Sequence, residues 1–251
     1  YTTLFRSIIL TFVSIIAYRV MTEERDKQRI REMFGRYVSP AVVSEILEHP
    51  PELGGVDKEM TVMFSDIRGF TSISEALTPQ ELVNLLNEYL TAMTDLILDY
   101  NGTLDKYMGD AIMCFWGAPL PQEDHAYLAC RCALRQIDKL HEINDKLPSN
   151  KRLDVGIGVN SGIMTVGNVG SSGRLNYTVM GDNVNLGSRL EGTNKTYGTN
   201  VIISEYTYGF VKDRIVAREL DSIRVKGKNR PVTVYELVDL VEDQSEGDSS
   251  A

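Results

Sequence analysis

The chain has 251 residues, of which 43% are hydrophobic and 24% charged, and its formal net charge is −9. That balance supports a sizeable apolar core and excludes a fibrous or wholly disordered chain. It also speaks against a nucleic-acid-binding surface, so an anionic small substrate would have to be met by local cations or metal ions.

Residues 1–7, YTTLFRS, read as the translation of a common sequencing adapter. They are set aside from the fold, and the natural chain is expected to continue upstream. Residues 8–17, IILTFVSIIA, are uncharged and mostly apolar, but spanning a bilayer takes ~20 residues. Arg19, Arg25, Lys27, Arg29, Arg31 and Arg36 follow. The segment 8–21 therefore reads as the end of a truncated transmembrane helix whose basic flank, and the domain behind it, lie in the cytoplasm. The competing reading is an amphipathic helix packed on the domain.

In residues 22–38, Ile30, Met33, Phe34, Tyr37 and Val38 recur at helical spacing, a stripe suited to a partner helix. Ser39 and Pro40 suit the N-cap and first position of a further helix, which HPPELGG (49–55) breaks. Residues 22–55 are thus coupling helices and a linker. Strands and helices alternate over 56–240, and the acidic tail 241–251 reads as disordered.

Within 56–240, TVMFSDI (61–67) is a buried strand ending in Asp66 and Ile67. Residues 79–99 form a long amphipathic helix, and 102–106 and 111–116 form a hairpin around YMGD. Residues 123–147 are a second long helix. Residues 153–159 and 163–166 are expected as strands around a glycine-bearing turn, then 175–180 as a strand and 182–196 as a helix. Short strands at 200–204 and 215–219 precede a closing hairpin of 223–226 and 232–237. The order begins β-α-β-β-α-β, the split unit of ferredoxin-like α+β domains. Cys114, Cys130 and Cys132 form no CxxC motif and are expected as reduced thiols.

Asp66 ends a hydrophobic strand, and Gly69, Phe70 and Thr71 follow near a helix start, where backbone N–H groups can meet phosphates. Taken alone, Asp66 is more often a solvated turn residue. Asp110 changes that, because the split unit makes the first strand and the hairpin neighbours. Two close carboxylates repel and call for a cation. Magnesium takes carboxylates, waters and substrate phosphates together.

Three segments now stand in order: FSDIRGFTSISE, GTLDKYMGDAIMCFWGAP and NYTVMGDNVNLGSRLE. They resemble the signature segments of the class III nucleotidyl cyclases, over about Val56 to Leu237. FGRYVSPAVVSEIL resembles the piece that joins such domains to a membrane or signalling module, so the chain looks most like a bacterial membrane-anchored adenylate cyclase. The resemblance implies the class III cyclase fold, a ferredoxin-like βαββαβ core with extra C-terminal strands and helices.

It also implies roles. Asp66 and Asp110 match the aspartates that bind two divalent ions, Mg²⁺ or Mn²⁺, with the Ile67 carbonyl as an extra ligand. Lys106 and Thr178 match the pair that selects the base, Asn185 and Arg189 the pair that orients the ribose and stabilises charge on the reacting phosphate, and Lys226 a triphosphate contact. Adenine offers an acceptor at N1 and a donor at its amino group, which a lysine and a threonine oxygen complement. Guanine reverses that edge, and guanylate-making relatives typically carry Glu and a small Cys or Ser instead. Gly156 stands where some relatives carry an arginine, so one triphosphate contact is missing or supplied from elsewhere.

The implied reaction converts ATP to 3′,5′-cyclic AMP and pyrophosphate by two-metal in-line attack, in a homodimer whose sites are shared between subunits. An upstream sensor would act through the N-terminal helices. The alternatives are a guanylate cyclase and a catalytically silent nucleotide-binding or dimerisation module.

Overall fold

The computed structural model describes residues 11, 12, 14–19, 21, 22, 25, 54–148, 151–171, 173–224 and 230–241. The chain divides into two compact units, Tyr1–Pro50 and Pro51–Ala251. In the first, the described residues are helical and exposed. Among the described residues no helix is long and apolar enough to cross a membrane. The adapter-like segment, the helical stripe at 30–38, Lys226 and the tail beyond 241 lie outside the described residues.

The second unit runs β1 (Gly54–Ile67), α1 (Phe70–Ala76), α2 (Pro79–Asp99), β2 (Thr103–Met108), β3 (Ala111–Trp116), α3 (His125–Lys146), β4 (Val155–Ser171), β5 (Arg174–Met180), α4 (Asp182–Tyr197), β6 (Val201–Ser204), α5 (Glu205–Val211), β7 (Ile215–Ile223) and β8 (Val232–Leu240). Its sheet order is β2-β3-β1-β4-β6-β8-β7, with β5 paired to β4. The first four strands are antiparallel throughout, which is the ferredoxin-like arrangement expected from the element order. The mixed sheet gains strands β6, β7 and β8 on the far side of β4, as the expected C-terminal additions to the core.

Alternation along β1 decides what each face carries. Met63 and Ile67 pack with Tyr89 and Met93 of α2 and Ala129 and Ala133 of α3. Met60, Val62 and Phe64 point the other way, toward Val179 of β5 and Val184 of α4. Asp66 continues that second series. The period of two therefore delivers the strand's carboxylate to the side covered by β5 and α4, away from the two long helices. The capping box at Thr78 and Glu81 sets the start of α2. Cys114, Cys130 and Cys132 are free and buried, and burial pushes the Cys130 thiol up to about 12.

Strand β1 begins at Gly54, inside the expected linker, and the expectation also fails further along the chain. The glycine-bearing turn at NSG (160–162) does not exist, because β4 runs unbroken through it and pairs with β1 along its length. Those polar residues look like a turn but are satisfied inside the fold. Ser161 Oγ lies 2.7 Å from Thr61 Oγ1, and Asn160 donates to the Asn183 carbonyl at 2.7 Å and accepts from Ser204 at 2.6 Å. Strand β7 runs past the expected end at 219 to Ile223, with register shifts at Val216/Ala217 and Glu219/Asp221; of the strand expected at 223–226 only Ile223 belongs to it, and residues 225 and 226 lie outside the described residues. Helix α5 was not expected. The Ser204 side chain caps it by accepting from the Thr207 N–H at 3.2 Å.

Candidate active site

The ladders fix the acidic corner. Asp66 lies opposite Gly156 of β4, while on the other side Ser65 pairs with Ile112 of β3. Met108 pairs with Ala111, leaving Gly109 and Asp110 as a two-residue turn, with Gly109 at φ 73. A glycine is needed at that positive φ. Asp110 therefore occupies the turn, and it meets Asp66 there. Burial and then the neighbouring Asp110 carboxylate push Asp66 up to about 6, partly offset by a hydrogen bond from the Ile67 backbone.

No lysine or arginine among the described residues pairs with either carboxylate. The Ile67 side chain is hydrocarbon, so only its backbone carbonyl could contribute to a ligand set. Among the described residues no cluster of three or more His, Cys, Asp or Glu forms a full cage. Two uncompensated carboxylates and a carbonyl form a hard, all-oxygen donor set that substrate phosphates and water would complete, which fits Mg²⁺ or Mn²⁺.

Directly after this corner, Gly69 takes φ 65 and opens α1, and its carbonyl accepts from the N–H groups of Ser72 and Ile73. Phe70 and Thr71 form the first turn beside the aspartates. Arg68 ties the corner down: its Nη1 donates to Asp154 at 2.9 Å, its other end donates to the Thr199 carbonyl, and its backbone N–H donates to the Asp154 carbonyl.

A second group assembles around Lys106. Its ammonium donates to Thr178 Oγ1 at 3.2 Å, so the expected base-selecting pair is in contact. Asp105 completes the cluster. It lies 3.2 Å from Lys106 through Oδ1, and the Thr178 hydroxyl donates to its Oδ2 at 2.5 Å. The Asp105 side chain is 2% exposed and that of Lys106 43%. Neighbours in a regular strand point to opposite faces. Here the register shifts between Leu104 and Lys106, and Asp105 is the extra residue of a bulge. That bulge is what turns Asp105 and Lys106 to the same side.

On α4, Asn185 is exposed and Arg189 half-buried, one turn apart as their spacing requires. Neither Asp105 nor Glu191 stood out in the sequence. Glu191, also on α4, is pushed up to about 7, first by burial and then by Asp66 and Asp110, with Arg68 opposing. The only signal for Asp105 was its place beside Lys106, and strand alternation argued against it. Glu191 carried no signal, because its neighbours come from distant strands. Asp66, Ile67 and Asp110 come together, as do Lys106 and Thr178. The structure describes no position for Lys226.

Residues 56–238 match the family model described as the adenylate and guanylate cyclase catalytic domain. Adenylate cyclase 1 of Rhizobium meliloti (strain 1021) is 38% identical over 186 residues, covering 73% of this chain and 28% of that protein. An adenylate cyclase of Anabaena cylindrica is 35% identical over 219 residues, covering 82% and 43%. The chain thus spans less than half the length of these curated relatives. Among solved structures, the adenylyl cyclase CyaB from P. aeruginosa aligns with TM-score 0.69 at 38% identity, covering 74% of this chain and 97% of that one. The guanylyl cyclase Cya2 aligns with TM-score 0.68 at 36% identity, covering 77% and 98%.

Proposed function

Since the chain belongs to the adenylate and guanylate cyclase catalytic domain family, we propose that it is an adenylate cyclase making 3′,5′-cyclic AMP and pyrophosphate from ATP. The observation that carries the choice of base is the Lys106–Thr178 contact of 3.2 Å. It sets an N–H donor beside a hydroxyl oxygen, the complement of adenine's N1 and amino group. A mispaired purine edge leaves buried polar groups unsatisfied, at ~1–3 kcal/mol each.

Asp66, Asp110 and the Ile67 carbonyl would hold two divalent cations, which when bound lower the pKa of the ribose 3′-hydroxyl and neutralise the triphosphate. Asn185 orients the ribose so that the 3′-oxygen faces the α-phosphorus in line with the pyrophosphate leaving group. The 3′-hydroxyl gives its proton to solvent water, and the new O–P bond forms as the bond to pyrophosphate breaks. Arg189 stabilises the charge that develops on the transferred group. The backbone N–H groups after Gly69, together with Lys226, hold the triphosphate.

The active form in this reading is a head-to-tail homodimer. One subunit supplies Asp66 and Asp110, and the other supplies Lys106, Thr178, Asn185, Arg189 and Lys226. We further propose attachment to the cytoplasmic face of a membrane through residues 8–21, with an upstream sensor acting through residues 22–55. Recovery of the protein in the soluble fraction of lysed cells would count against that attachment.

The test uses the purified chain with ATP or GTP and with Mg²⁺ or Mn²⁺, quantifying both cyclic nucleotides. Cyclic AMP as the main product supports the reading. Cyclic GMP as the main product would place the chain with the guanylyl cyclases, of which Cya2 is a structural neighbour. Nucleotide binding without product would favour a silent module.

A further inference from the structure

We propose that Asp105 is a specificity-determining residue that sets the base choice by holding the proton of the Thr178 hydroxyl. The inference rests on the adenylate cyclase reading above and deepens it. A threonine hydroxyl alone is a poor discriminator, because it rotates to donate or to accept as the partner demands. Facing adenine it would accept from the amino group; facing guanine it could turn and donate to the carbonyl. Asp105 removes that freedom. Its Oδ2 takes the Thr178 proton at 2.5 Å, and its Oδ1 is engaged by Lys106 at 3.2 Å.

What remains at Thr178 is an oxygen with lone pairs. One faces Lys106, which donates to it at 3.2 Å, and the other is left for the base. Lys106 has three N–H groups. Asp105 and Thr178 take two, and the third is left for N1. The cluster then offers one donor and one acceptor in fixed positions and cannot exchange them. The carboxylate is 2% exposed, so water does not compete for its oxygens. The bulge at position 105 is what brings the carboxylate to this side of β2 at all.

Asparagine at position 105 should reverse the lock. Lys106 demands the amide oxygen, so the amide NH₂ faces Thr178 and frees its hydroxyl to donate. The experiment measures kcat/KM for ATP and for GTP in the unsubstituted chain, Asp105→Asn, Thr178→Val and the double variant. The expected result is a GTP-to-ATP ratio ~10-fold higher in Asp105→Asn, with no further change when the substitution is made in the Thr178→Val background. A purely structural role for Asp105 would lower both substrates together and leave the ratio alone.

If Asp105→Asn loses its cooperative melting transition, Asp105→Ala frees the same hydroxyl and carries the same expectation. A ratio within about twofold of an ATP-preferring parent would overturn the proposal and leave the adenylate cyclase reading standing. So would a shift that persists without the Thr178 hydroxyl. A parent that prefers GTP, or makes no product from either nucleotide, would overturn the reading itself and this proposal with it.

Discussion

The carboxylate of Glu191 fills the place where a side chain on Gly156 would begin, with Oε1 2.9 Å from an ideal Cβ there. Gly156 stands opposite Asp66 in the β1–β4 ladder. Glu191 of α4 thus rests directly on β4 behind the acidic corner, with its backbone oxygen 3.3 Å from the same position. Two residues on, contact is tighter still, since a Cβ on Gly158 would lie 2.2 Å from the Glu191 nitrogen and 2.5 Å from the Gly187 oxygen.

Gly158→Ala should therefore push α4 off the sheet, at ~1–3 kcal/mol or more of stability. Gly192, on the same helix, meets nothing within 4 Å. Gly192→Ala should add ~0.5–1 kcal/mol by relieving the cost of glycine in a helix. Denaturant melts of both variants check the contrast. Equal effects would mean that α4 is not seated as described.

The acidic corner predicts a pH dependence. Asp66 rises from 3.8 to about 6 and Glu191 from 4.5 to about 7 on folding. The folded state then binds more protons than the unfolded state between these values, so stability falls as pH climbs through that window. Without divalent metal, the melting temperature should drop from about pH 4 to about pH 7, and Asp66→Asn should flatten part of the slope. Thermal melts across pH measure it, and a rising curve would contradict the assignment.

Metal binding draws on the ionised carboxylates. Added Mg²⁺ or Mn²⁺ should raise the melting temperature more at pH 8 than at pH 5. Asp110→Ala should abolish that increment and cut cyclic nucleotide production by ~100-fold or more. An unchanged metal response in Asp110→Ala would move the metal elsewhere.

Sharing of sites gives a complementation test. Asp66→Ala and Asn185→Ala proteins should each be inactive. Mixed under exchange, half the dimers are heterodimers with one intact site, so about a quarter of the parent activity should return. A mixture as inactive as its parts would argue against shared sites.

The reading from residues alone found the β1–α2–β2–β3–α3–β4 frame because each element carries a strong period and clear stops. The resemblance of their segments singled out Asp66, Asp110, Lys106 and Thr178, and the fold brings the two aspartates together and Lys106 against Thr178. It misread residues 160–162, since buried polar residues satisfied by distant partners look like a turn in one dimension. Asp105 was hidden for a different reason. A bulge is a relation between two strands, and nothing in LDKYMGD announces it.

That bulge also bears on how such a site changes over generations. Leu104 pairs with Cys114 and Lys106 with Met113, residues already adjacent on β3. Losing the single codon for Asp105 would close the gap, leave every other pairing intact and keep Lys106 opposite Met113. The carboxylate is thus a removable insert: one in-frame deletion or insertion could relax or sharpen base choice without rebuilding the hairpin.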